Sequence, residues 1–217
     1  MTVQIKVYSD YVCPFCFIAE GPLQQAIQGK DVEVEWMPFE LRPVPNEPLR
    51  PDEPYIQRAF HQSVKPMAER MGLDMVLPQM SPHPRTHLAF EGFQFAKEHG
   101  KGGEYNHRIF KAFFQEEQDI GQVDVLTKLA GEVGLDESQF RAALESRTYQ
   151  EAHQKALHHA YREAGIQVVP TIMIGNHVLE GVRSKEAFEQ ILNEELKQAQ
   201  EKQEFGDGMA CGIDGCR

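Results

Sequence analysis

"SDYVCPFCFIAEGPL", Ser9 to Leu23, sets two cysteines two residues apart where one backbone pattern gives way to another. Upstream, Val3, Ile5 and Val7 alternate with polar residues along one side of an extended segment, and Phe17 to Gln28 suits a helix. Pro14 fits the first helical position, where its missing N–H costs nothing. Cys13 then lies at the helix N-terminus, where unpaired amides and the positive end of the macrodipole favour a thiolate. A thiolate is the attacking species in disulfide exchange, and Cys16, less than a turn further on, is placed to release the mixed disulfide. Phe17 and Ile18 after it make Cys16 the more buried thiol. Phe15 offers the thiolate no cationic donor, so the couple is expected to be less strongly oxidising than one with histidine there. The same spacing is also half a zinc site, or two thiols simply buried in a core. Ligands to complete a zinc site would come from Cys211 and Cys216 or from His153, His158 and His159, which read as faces of a solvated amphipathic helix. The change from strand to helix across the pair favours the redox reading.

Working outward, Val32, Val34 and Trp36 repeat the strand alternation after the helix, giving β-α-β. "MPFELRPVPNEPLRPDEP" follows, with six prolines in eighteen residues, and reads as a loop leaving the sheet. From Tyr55 to about Gly165 the period is helical: Ile109, Phe110, Phe113 and Phe114 form one apolar stripe, Val125, Leu126, Leu129, Ala130 and Val133 another, Phe140 and Leu144 a third. "IQVVPTIMIGNHVLEGV" returns to strand character with a turn at Gly175-Asn176, and Ser184 is placed to cap a last helix through Leu192 and Leu196. Neither half can bury its own sheet, so the β-α-β and β-β-α halves are expected to share one sheet, an α/β fold with an all-helical insertion. The expected units are residues 1–45 with 165–202, an inserted helical domain at 46–164, and a glycine-rich flexible tail at 203–217 holding Cys211 and Cys216.

Of the 217 residues, 41% are hydrophobic and 25% charged, enough for a substantial core. The net charge of −11 is scattered, with no basic stripe for a phosphate backbone or an anionic lipid surface. Nucleic acid and membrane are therefore not expected partners. The opening "MTVQIKVYSDYV" lacks the apolar run of a signal peptide and no segment has the length of a bilayer span, which points to the cytoplasm. In a reducing compartment, close cysteine pairs read as working thiols or metal ligands rather than permanent crosslinks.

"VCPFC" after the first strand, the helical insertion and "VPTIMIG" opening the returning strands together resemble the thioredoxin superfamily, and within it the DsbA-like branch. The resemblance implies a thioredoxin fold and a cis peptide at Val169-Pro170. A strand end so turned lets the Val169 backbone pair with an extended peptide beside Cys13, so Val169, Pro170, Thr171, Pro14 and Phe15 are the expected substrate-binding residues. Over nearly the whole chain, including "PFELRPVPNEP", "AGIQVVPTIMIG" and "ACGIDGC", the sequence is similar to the FrnE-like group of cytosolic disulfide oxidoreductases. In "PRTHLAFEG" it departs from that group: Thr86 and Ala89 match, but Phe90 stands where the group carries histidine.

The similarity implies that Cys211 and Cys216 form a second redox-active pair; an inert local disulfide or a jointly held zinc are the other readings of that pair. The expected activity is thiol–disulfide oxidoreductase or isomerase, catalysed by Cys13, Cys16, Cys211 and Cys216, with no cofactor or metal. Its partners would be protein thiols and disulfides, and small thiols such as glutathione. A glutathione-dependent isomerase or kappa-type transferase of the same superfamily is an alternative, although those carry serine at the position of Cys13. A zinc-stabilised, chaperone-like binding module is another.

Overall fold

The computed structural model describes residues 2–207; Cys211 and Cys216 lie outside the described residues. Strand β1 (Val3–Ser9) runs parallel to β2 (Val32–Pro38), with helix α1 (Pro14–Ile27) between them in the chain. Strand β3 (Thr171–Ile174) lies antiparallel on the other side of β1, and β4 (His177–Glu180) pairs with β3. The order β2-β1-β3-β4 puts β1 in the interior of the four-stranded sheet, with Val7 between Trp36 and Ile172. The two expected halves thus join in one sheet. The turn at Gly175-Asn176 is as read, with Gly175 at φ +56°, a region that glycine enters at little cost.

Between β2 and β3 run the helices of the insertion. They are α2 (Pro54–Ala59), continued through a π turn at Phe60–Val64 into α3 (Lys65–Arg70), then α4 (His87–Glu98), α5 (Gly102–Phe114), α6 (Val123–Glu132) and α7 (Glu137–Glu145), and last α8 (Gln150–His158), which ends in a π turn at His159–Glu163. Helix α9 (Lys185–Asp207) follows β4, and the Ala187 N–H donates to Ser184 Oγ at 3.3 Å, the cap that the sequence announces. α9 continues past the expected boundary at residue 202, so residues 203–207 extend the helix.

The strand read from Ile166 onward begins only at Thr171, and residues 168–170 form a bend. Pro170 has no N–H to give to a ladder, so regular pairing starts after it.

One buried cluster joins the sheet to the insertion. Phe17 of α1 stacks on Phe110 and Phe114 of α5 with centroids 5.7 and 5.8 Å apart, and Tyr11 stacks on Phe90 of α4 at 4.4 Å. At about 1.5–3 kcal/mol for each large apolar side chain buried, these contacts hold the first turn of α1 in register with the helices beside it. A smaller cluster, Tyr8, Phe39, Ala160 and Ile166, covers the opposite face of the sheet where α8 ends.

Candidate active site

Cys13 is the N-cap of α1, in extended backbone conformation (φ −90°, ψ 109°), with Pro14 at the start of the helix and no side chain capping the first turn. Its own N–H donates to the Asp10 carbonyl at 3.0 Å, and its carbonyl accepts from Cys16 N–H at 3.1 Å. The Cys13 thiol donates to the Val169 carbonyl at 3.5 Å, and the Val169-Pro170 peptide is cis. Residues more than 150 positions apart thus meet at one sulfur, as the separation of 156 for this bond records.

Cys13, Pro14, Phe15 and Val169 line one apolar cleft of about 350 Å³, to which Tyr55, Ile56, Phe60 and His83 also contribute. Cys13 is 4% exposed and Cys16 2%, but only Cys13 borders the cleft. Cys16 faces the core. Thr171 is turned away: its side chain is buried and its hydroxyl donates to the Val168 carbonyl at 2.7 Å, so it shapes the bend and presents nothing to the cleft.

Beneath the dithiol is a group that the sequence reading passed over. Asp10, 1% exposed, accepts from Leu41 N–H at 2.7 Å through Oδ2. The Thr86 hydroxyl and the Val12 amide lie near the carboxylate, but Oδ1 is without a hydrogen-bond partner. Burial pushes the Asp10 carboxyl up to about 7; the Leu41 amide and Thr86 hydroxyl act against this, and the charge of Glu40 adds to it. Burial also pushes the Cys16 thiol well up, with Cys13 and the Asp10 charge adding to the effect. The available signal was positional: an acid directly after a buried apolar strand and three residues before Cys13.

Glu40 is held from the insertion. Its side chain meets His153 Nε2 at 2.6 Å, and its backbone carbonyl accepts from the Tyr161 hydroxyl at 2.7 Å. His153 is 2% exposed and stacks on Phe90 at 5.4 Å. The sequence reading of a solvated histidine is corrected here, because that face of α8 packs against α4 and β2. His158 and His159 instead turn toward Glu163. Phe90, the departure noted in the sequence, fills the space between Tyr11 and His153 with an aromatic ring.

Among the described residues, no three His, Cys, Asp or Glu side chains converge as a metal-ligand set. Among the same residues no helix is long and apolar enough to cross a membrane.

Comparison with known proteins identifies the family and the fold. The chain is 58% identical over 198 residues to the uncharacterized protein YwbO of Bacillus subtilis, covering 91% of this chain and 99% of that protein. A probable DsbA oxidoreductase from Streptomyces coelicolor has a similar structure, with a TM-score of 0.73 at 22% identity over 99% of this chain and 98% of that one. The cytosolic disulfide reductase DsbM from Pseudomonas aeruginosa, solved with glutathione, superposes with a TM-score of 0.64 at 16% identity, covering 92% and 99%. At these identities the two structures speak for the fold. The family description "DSBA-like thioredoxin domain" matches residues 4–193, nearly the whole of the sheet and its helical insertion, and the chain belongs to that family.

Proposed function

We propose that the protein is a thiol–disulfide oxidoreductase that exchanges disulfides with protein substrates through Cys13 and Cys16. The observation that supports this most is the Cys13 thiol, set at a helix N-terminus, opening into an apolar cleft beside the Val169 carbonyl. In the reducing direction the Cys13 thiolate attacks one sulfur of a substrate disulfide. The Cys13–substrate disulfide forms, the substrate S–S bond breaks, and the leaving sulfur takes up a proton. Cys16 then gives its proton to Asp10 and attacks Cys13 Sγ. The Cys13–Cys16 bond forms, the second substrate thiolate leaves, and two electrons have passed from the protein dithiol to the substrate. Asp10 suits this step because it is buried close enough for its charge to act on Cys16 and its proton affinity is centred near neutrality.

Ionising Cys13 also frees the Val169 carbonyl, since a thiolate has no hydrogen to donate. That carbonyl can then accept a substrate backbone N–H next to the disulfide, which favours extended peptides with little sequence preference. Pro14 and Phe15 on one wall, with Val169 on the other, would flank that peptide. The reading extends to a FrnE-like role in the cytosol, with Cys211 and Cys216 as a second dithiol that exchanges with the first and permits isomerisation. Small thiols such as glutathione would recycle the pair.

Reduction of insulin and refolding of scrambled ribonuclease, on wild type beside Cys13→Ser, Cys16→Ser and Cys211→Ser/Cys216→Ser, test this. Cys13→Ser should abolish both activities and Cys16→Ser should accumulate mixed disulfides. The tail variant should keep reduction and lose part of the isomerisation. Full activity in Cys13→Ser overturns the reading.

A further inference from the structure

Two residues that each carry an orphaned buried atom line one cleft. Asp10 Oδ1 and His83 Nδ1 are buried without hydrogen-bond partners, and their residues, 1% and 5% exposed, both line a narrow cleft of about 10 Å³. That volume is room for about one water. His83 is fixed there from the segment before α4: its N–H donates to the Leu49 carbonyl at 2.7 Å and its ring packs edge-on against Phe113 at 5.3 Å. Its Nε2 lies 3.1 Å from the Pro78 carbonyl. A carbonyl only accepts, so Nε2 carries the hydrogen and Nδ1 is left as a bare acceptor turned to no protein donor. Burial lowers the proton affinity of His83, which favours this neutral form.

We propose that His83 is a positioning residue for the redox acid: through Nδ1 it orients a water in the cleft that hydrogen-bonds Asp10 Oδ1 and passes the Asp10 proton to and from solvent. The inference rests on the reading of Asp10 as the proton acceptor for Cys16. The water donates one hydrogen to Nδ1. Its other hydrogen goes to the ionised carboxylate, or it accepts from the protonated one. When Cys16 has delivered its proton, Asp10 is a neutral acid closed in by Leu41, Thr86 and Glu40, and the cleft is its outlet. The outer wall is the exposed Arg42. Arg85, also in the wall, is already committed to the carbonyls of Arg42 and Asn46 at 3.0 Å each. Thr86 completes the polar lining.

The test is direct titration of the Asp10 carboxyl by carbon NMR in the reduced protein, beside the pH profile of mixed-disulfide release in single turnovers. The other groups facing Asp10 are Cys16 and Tyr11, Glu40 and Arg42 after β2, Tyr161 from the π turn, and Arg85 before α4. Replacing His83 leaves all of them in place. In His83→Leu the ionised carboxylate loses an oriented donor. Its titration midpoint should rise by about half a unit or more, and release should slow several-fold at pH 7. His83→Gln, able to donate to Pro78 and to accept from the water, should restore both toward wild type. Should the leucine variant not fold, His83→Asn, too short to span both partners, should give the same upward shift. An unmoved midpoint and release profile in a folded Leu or Asn variant overturns the proposal. Asp10→Asn separates the two levels: if it leaves the release profile unchanged, the role of Asp10 itself fails. If it flattens the profile while His83→Leu does not move it, only the oriented water fails.

Discussion

Asp10 gives up hydration for a position under the dithiol, and the cost appears in stability. Its folded value of about 7 lies above the unfolded 3.8, so between those values the native state binds the extra proton. Stability from this group is therefore complete below pH 4 and is lost as pH rises through 7, by up to about 4 kcal/mol. Asp10→Asn, which keeps an acceptor for Leu41 N–H, should unfold at higher denaturant than wild type at pH 8 and lose that advantage at pH 4. Equal differences at the two pH values would contradict the buried, proton-binding acid. The residues of the site divide by where their surroundings come from. Cys13, Cys16, Pro14 and Phe15 are legible because one short segment supplies both the thiols and the helix start that shapes them. Asp10, His83 and His153 are not, because Leu41, Pro78 and Glu40, which define them, arrive from distant parts of the chain.

The helices of the insertion were legible as apolar stripes, since Ile109, Phe110, Phe113 and Phe114 all prove buried on α5. What periodicity does not carry is how closely two helices approach. Gly92 on α4 shows this: a Cβ there would meet the Tyr105 hydroxyl and, at 2.6 Å, the Phe140 ring. Alanine would add about 1 kcal/mol of helix propensity. Overpacking two fully buried rings should outweigh it, for a net loss of about 1–2 kcal/mol. Chemical denaturation of Gly92→Ala checks the sign, and a stabilised variant would mean that α4 moves freely against α5 and α7. The bend before β3 escaped the sequence for a different reason. Val168 and Val169 have strand chemistry, but their backbone is set by Pro170 and by the Thr171 hydroxyl on the Val168 carbonyl.

Across the whole molecule the insertion meets the sheet directly, where α5 and α8 pack on β2, and also through α1, whose Phe17 stacks on α5. Phe110 is 0% exposed and touches Phe17 and Tyr11, one residue on each side of the dithiol. Phe110→Ala should cost about 3–5 kcal/mol, and far- and near-ultraviolet circular dichroism should still report one coincident transition. Two separated transitions would show that sheet and helices melt independently. The same architecture orders events during synthesis. β1 lies between β2 and β3, yet β3 leaves the ribosome only after the entire insertion. Until residues 171–174 emerge, one flank of β1 is an open edge and the Val169 carbonyl is not yet beside Cys13. The nascent polypeptide therefore exposes the Cys13 sulfur before the walls that will surround it have been made.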